Sequence, residues 1–326
     1  MTKGVSHHVT TENSASSPLR VTVVVCTRNR PDMVVDVLRD LLNNTYPAFK
    51  VLVVDQSTDN QTREIVSQYQ KETDLLEYLP TKTTGISVSR NIGFSEASRC
   101  ADILASTDDD CRVPSDWISR LAAEFAADPD LDALLGRILP FWDSEGAVPV
   151  SINRSTRRMT FNELPNPLFV NLFGLGGTLN FAVRTSTWHA VGPFDESLCK
   201  GEDMEYNYRI LQKGKKLARV PEVLIYHRAW RKPGEAAQLH CAYQEAIGEV
   251  IAKHWLLRSK GSRLYAFSYL LPFPRAFLHG LVRLSPRRLR RSWNALQATL
   301  RGIRIAKERY QGANGLLPDF ETVAPP

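Results

Sequence analysis

The chain has 326 residues, with 41 Lys and Arg against 35 Asp and Glu for a formal net charge of +6 at pH 7, and is 43% hydrophobic and 23% charged. That balance excludes a disordered or fibrous chain and suits one large α/β domain with an appendage. The positive excess is a C-terminal property, since from Arg283 to Arg309 Glu308 is the one acid.

Residues 1–18 read as a polar Ser/Thr-rich tail without the apolar stretch of a secretory signal. The β-branched run 21–26 predicts a strand buried on both faces. Thr27-Arg28-Asn29-Arg30-Pro31 breaks it, and apolar residues from Met33 to Leu42 then recur at helical spacing. Residues 51–54 form a second buried strand that stops at Asp55, followed by a turn and a helix around 63–70. This β-α-β-α order implies a parallel sheet with right-handed crossovers. Asp55 is placed either to take ribose hydroxyls or a base edge, or to cap its own turn. The first loop lacks G-x-G-x-x-G, which disfavours a dinucleotide fold; it offers backbone amides with Arg28 and Arg30 instead. A further helix opens around 84–93 and carries Arg90, whose planar fork suits a diphosphate or simply solvent.

The apolar run 101–105 predicts a strand leading to Asp108-Asp109-Asp110. Adjacent carboxylates at such a strand end need compensation, and a divalent cation shared with a diphosphate supplies it. In an extended segment Asp108 and Asp110 point one way and Asp109 the other. A solvated acidic turn is the plainer reading. Trp117, Leu121 and Phe125 mark a core helix face, and 130–139 contains a strand. Residues 140–167 read as a long irregular loop lining the acceptor side. A Gly-rich stretch, 174–184, enters another strand. Gly201-Glu202-Asp203 opens a helix that runs to Gly214, its acids at the favourable end of the dipole. Residues 220–228 form a strand carrying His227 near its end.

Residues 236–257 read as a helix. The aromatic stretch 264–283 is interrupted by Pro272, Pro274 and Arg275, which disfavours a spanning helix. It remains either a monotopic anchor followed by the basic run 287–291, or a helical hairpin packed on the domain. Five scattered cysteines (Cys26, Cys100, Cys111, Cys199, Cys241) without a C-x-x-C pair point to a reducing compartment, and so to the cytoplasm.

The series Thr27-Arg28-Asn29-Arg30, Asp55-Gln56-Ser57-Thr58-Asp59, Ser89-Arg90-Asn91-Ile92-Gly93 and Asp108-Asp109-Asp110 resembles the family-two glycosyltransferases. The resemblance implies an inverting enzyme of GT-A fold: an α/β class with a Rossmann-like mixed sheet flanked by helices, and here a C-terminal helical appendage. It implies a nucleotide-diphosphate sugar donor, a glycan or lipid-linked acceptor, and a divalent metal, Mn²⁺ or Mg²⁺. By the same resemblance Thr27, Arg28, Arg30, Asp55, Arg90, Asp108, Asp109 and Gly177 bind the donor, with Asp55 on the base and Asp108 on the ribose. Asp110 and His227 hold the metal. Asp203 is the general base, supported by Glu202. Gln56 stands where the family more often has Asp-Gly or Asn-Gly. The expected division is a tail (1–18), a catalytic domain (19–232, with a nucleotide half 19–112 and an acceptor half 113–232), a helical, basic appendage (233–310) open either to peripheral contact with an anionic membrane or to packing on the domain, and a second tail (311–326). Two other functions compete. A sugar-phosphate nucleotidyltransferase would want glycine in the first loop, which has none. A scaffold gripping nucleic acid through the basic tail lacks a recognisable reading motif.

Overall fold

The computed structural model describes residues 17–142, 145–166, 177–259, 261–270, 278 and 285–311. Residues 1–16 of the first tail, Gly174 to Gly176, the interruption at Pro272, Pro274 and Arg275, and residues 312–326 lie outside the described residues.

The elements in order are β1 (Val21–Thr27), α1 (Pro31–Leu42), β2 (Phe49–Asp55), α2 (Gln61–Gln70), β3 (Leu76–Pro80), α3 (Ile86–Ala97), β4 (Ile103–Asp108), β5 (Cys111–Arg112) and α4 (Trp117–Ala127). They continue with β6 (Ala133–Trp142), β7 (Met159–Phe161), β8 (Phe181–Arg184), α5 (Thr185–Val191), α6 (Glu202–Gln212), β9 (Leu217–Ala229), α7 (Pro233–Leu256), α8 (Ser262–Leu270) and α9 (Pro286–Gln311). Among the described residues one mixed sheet runs β3-β2-β1-β4-β8-β6-β9-β5, with β7 also on β9. The first four strands are parallel, β8 is antiparallel to both β4 and β6, and β6 is parallel to β9.

Alternation along the central strands sorts the helices into layers. Val21, Val23 and Val25 share one cluster with Val34, Val37, Leu38 and Leu41 of α1. Val24 and Cys26 face the other way, onto Phe94 of α3, Trp188 of α5 and Tyr206 of α6. Every residue of β1 is buried, because both its faces and both its edges are covered. On the second face Phe94 meets Trp188 edge-on at 5.2 Å, and Phe194 lies 4.2 Å from Tyr206.

The predicted boundaries shift where pairing extends a strand. The run at 101–105 becomes Ile103–Asp108, which registers against Val21 to Cys26. The predicted irregular stretch 140–167 contains the end of β6 and all of β7. Between Gly136 and Arg137 the β6–β9 register slips. Asn180, fully buried, fills the slip. Its Nδ2 donates to the carbonyls of Arg137 (2.8 Å) and Val223 (2.9 Å), and its Oδ1 accepts from Trp117 Nε1 (3.0 Å). Backbone acceptors freed by the bulge are thus satisfied internally.

The C-terminal helices pack on this domain. α7 and α9 approach so closely that a Cβ on Gly302 would lie 1.8 Å from Glu245 O, and one on Gly248 2.1 Å from Thr299 O. Lys253 of α7 is buried, its Nζ 2.7 Å from both Asp195 Oδ2 and Glu205 Oε1. Among the described residues no helix is long and apolar enough to cross a membrane.

Candidate active site

The parallel strands β1, β2 and β4 end together, and their loops are stitched side to side. Gln56 N donates to Thr27 O, Asn29 N to Ser57 Oγ (2.8 Å), and Thr58 N to Asn29 Oδ1 (2.9 Å). Asn29 takes the left-handed conformation, φ 53°, which Asn tolerates better than most residues. Asp55 is buried; its Oδ1 accepts from Ser57 N (2.8 Å) and its Oδ2 from the Tyr78 hydroxyl (2.7 Å). It therefore does cap its own turn, with one lone pair per oxygen left over. Burial and then the Asp55 hydrogen bond push the Tyr78 hydroxyl up to about 12.

Beyond these ends lies a cavity of about 550 Å³. Arg30, Arg90, Asp108, Asp109, Gly177, Glu202 and Asp203 all line it, so seven of the sequence-derived site residues converge there. Thr27, Asp55, Asp110 and His227 are not among its lining residues, and Arg28 is exposed.

Arg90 joins the end of β4 to the start of α6. Its guanidinium is 3.0 Å from Asp108 Oδ1 and 2.6 Å from Glu202 Oε1, with its side chain 4% exposed. Two carboxylates from sequence-distant elements thus share one buried cation. The neighbouring Asn91 donates to Phe194 O (2.9 Å) and accepts from Phe194 N (2.8 Å), which clamps the turn leading to α6.

The three aspartates do not lie in one extended segment as expected. β4 stops at Asp108, and Asp109 and Asp110 form the turn into β5. Asp109 is buried and accepts from Thr27 Oγ1 (2.8 Å), while Arg30 NH1 reaches both Asp109 (3.2 Å) and Asp110 (3.3 Å). Burial, with the charge of Asp110 against the relief from Arg30, pushes Asp109 up to about 7. Burial opposes the charge on Asp110 too, but His227, Arg30 and Trp230 hold it well below the usual carboxylate range.

His227 Nδ1 donates to Val150 O (2.8 Å), which turns Nε2 toward Asp110 Oδ1 at 3.2 Å. Burial lowers the imidazole, but the Asp110 bond outweighs it and the net shift is upward. The carboxylate oxygen suits Mn²⁺ or Mg²⁺, and the anchored imidazole nitrogen favours the transition ion, Mn²⁺, of the two. Among the described residues no group of three or more His, Cys, Asp or Glu could hold a metal alone. The rest of a coordination shell would come from diphosphate and water, as is usual for Mg²⁺.

Asp203 opens α6 beside Glu202. Its Oδ1 accepts from Met204 N at 2.7 Å. Arg90 pairs with Glu202 and leaves Asp203 without a salt bridge among the described residues. Burial first, and then the charge of Glu202, push its carboxyl up to about 7, against the Met204 N–H and Arg90. Gly177 faces it so closely that a Cβ there would lie 2.9 Å from Asp203 Oδ2.

Sequence reasoning missed the share of α7 in this cavity. Tyr243 and Ile247 line it, together with Ser151 and Lys200. At Tyr243 the helical period of α7 was the only signal, and it reads as core.

Residues 22–187 match the family described as Glycosyl transferase family 2. The chain is 26% identical over 240 residues to Glycosyltransferase AglE of Haloferax volcanii, covering 73% of this chain and 74% of that protein. Its fold resembles S. aureus TarS 1-349 in complex with UDP (TM-score 0.51, 18% identity, covering 90% of this chain and 92% of that one). It also resembles the mannosyltransferase PcManGT from Pyrobaculum calidifontis in complex with GDP-Man and Mn²⁺ (TM-score 0.56, 20% identity, 94% and 83%). These neighbours share the GT-A architecture expected from the motifs.

Proposed function

Because the chain belongs to glycosyl transferase family 2 and is a glycosyltransferase, we propose that it moves a sugar, with inversion, from a nucleotide-diphosphate donor to an acceptor hydroxyl, using Asp203 as general base. The observation that carries this reading is the carboxyl of Asp203: it lines the cavity, has no cation of its own among the described residues, and sits near pH 7. A base poised there is in part ionised near neutral pH and takes a proton readily.

In the step, Asp203 accepts the proton of the acceptor hydroxyl as that oxygen bonds to the anomeric carbon. The bond from that carbon to the diphosphate oxygen breaks, and the nucleotide diphosphate leaves with the electron pair. Attack from the face opposite the leaving group inverts the centre. Asp55 and Asp108, at the ends of β2 and β4, take base and ribose. Arg30, 36% exposed at its side chain, is free to turn from the aspartates toward a diphosphate. A divalent cation held by Asp110 and His227 would supply charge neutralisation at the departing diphosphate. Arg90 holds Glu202 in place beside the base through their ion pair.

The acceptor side belongs to a glycan or lipid-linked glycan of cell-envelope type, at a cytoplasmic membrane face. Exposed Trp255, Phe267 and Trp293 support peripheral contact through the C-terminal helices, as do the exposed Arg290, Arg291, Arg301 and Arg304 of α9. Replacing Asp203 by Asn tests the reading: turnover is lost while nucleotide binding persists. Turnover retained in that variant would remove Asp203 from its role.

A further inference from the structure

Tyr243 lies beyond residue 187, where the family match ends, yet it lines the same cavity as Asp203. Its hydroxyl is 3.2 Å from Ser151 Oγ, in the loop that Asn153 bridges to Ile138 of β6. Lys200 Nζ stands 5.7 Å from the Tyr243 ring centroid and has no ion-pair partner among the described residues. Ile247 and Met204 add apolar surface to the same wall.

The wall belongs to the base side of the cavity. α7 packs on the first residue before α6, since a Cβ on Gly201 would lie 3.2 Å from Ala246 Cβ. Asp203, Glu202 and Asp108 line the cavity together with Tyr243. The nucleotide-side groups come instead from the ends of β1, β2 and β4. Hydroxyl and ammonium donors interleaved with aliphatic and aromatic carbon match a pyranose, which has hydroxyl edges and C–H faces.

We infer that Tyr243, Ser151 and Lys200 form the acceptor subsite and bind a pyranose ring of the acceptor beside Asp203. The inference rests on the transferase reading above. It makes α7 part of the enzyme's specificity, because the groove that selects the acceptor is closed by a helix outside the matched region.

The test uses the full chain. Nucleotide release is followed with UDP-, GDP- and TDP-sugars and a panel of p-nitrophenyl glycosides as surrogate acceptors. Calorimetry gives nucleotide diphosphate affinity. Tyr243→Phe is expected to raise the KM for the preferred glycoside about three- to tenfold, the range of one lost hydrogen bond, while nucleotide affinity holds within about twofold. Lys200→Met should raise the same KM. Ser151→Ala should raise it less, since it leaves the tyrosine hydroxyl free to serve the acceptor. An unchanged glycoside KM in Tyr243→Phe, or an equal rise in donor KM, would overturn the inference. So would a wild-type chain that binds nucleotide but whose turnover no glycoside accelerates. A chain that binds no nucleotide fails the transferase reading itself, and the subsite falls with it.

Discussion

At the scale of single residues the site is governed by how two carboxylates share one cation. Arg90 pairs with Glu202 and Asp108, so of the three acids around it only Asp203 lacks a salt bridge among the described residues and is pushed up to about 7. The groups facing it are Glu202 from its own helix, Asp108 from β4 and Arg90 from α3, with the Met204 amide beside it. A base must be ionised, so kcat/KM should fall about tenfold per pH unit below pH ~7 and level off above it. Glu202→Gln removes the largest charge raising Asp203 and should move that limb to lower pH. A pH–rate profile showing no limb between pH 5 and 8 in wild type would contradict the assignment. Arg90→Gln strands two carboxylates, one of them 90% covered at its side chain, and should cost on the order of 3 kcal/mol in urea unfolding. Arg90→Lys is not a conservative replacement, because one ammonium does not match a fork that spans both acids.

At the scale of elements, the Gly177 segment and α6 meet with no space for a side chain between them. Gly177→Ala puts a Cβ 2.9 Å from Asp203 Oδ2, so the carboxylate must turn. The expected result is a loss of kcat of tenfold or more, with melting temperature little changed; equal kcat would show that the contact is unimportant. Much of this arrangement is legible in the chain. The β-branched runs at 21–26 and 51–54 announce the central strands, since only a residue covered on both faces can be apolar at every position. Carboxylates at their ends mark the ligand edge. Other elements are written elsewhere in the fold. The edge strand β3, Leu-Glu-Tyr-Leu-Pro, is too polar to stand out, and the two residues of β5 are a strand only because they pair with His227 and Tyr226. Asn180 has meaning only at a register slip between β6 and β9, 43 residues away from its own position on either side. The partners of Arg90 lie 18 and 112 residues distant, so its motif showed an arginine without showing its duty.

At the scale of the whole molecule the C-terminal helices are tied to the catalytic domain by buried charge. Lys253 holds Asp195 and Glu205, Arg209 and His254 also reach Glu205, and Tyr310 of α9 donates to Asp195 (3.1 Å). Lys253→Met leaves both acids short of a cation and should destabilise the chain by roughly 3 kcal/mol, read from urea unfolding; a change below about 1 kcal/mol would mean that Arg209 and Tyr310 suffice. The same helices carry the outward-facing aromatics and arginines. Vesicles of anionic lipid should retain the protein at low salt and release it at high salt. Arg290→Glu with Arg291→Glu should weaken that retention, and equal retention of the variant would set the basic face aside.

All three scales meet in the candidate active site, and the most direct measurement is calorimetric titration of UDP, GDP and TDP into the full chain, with and without Mn²⁺, for wild type and Asp203→Asn. The account predicts that one nucleotide binds, that it needs the cation, and that the variant binds it as tightly while failing to turn over its sugar. Absence of binding by all three nucleotides in the presence of Mn²⁺ would contradict it.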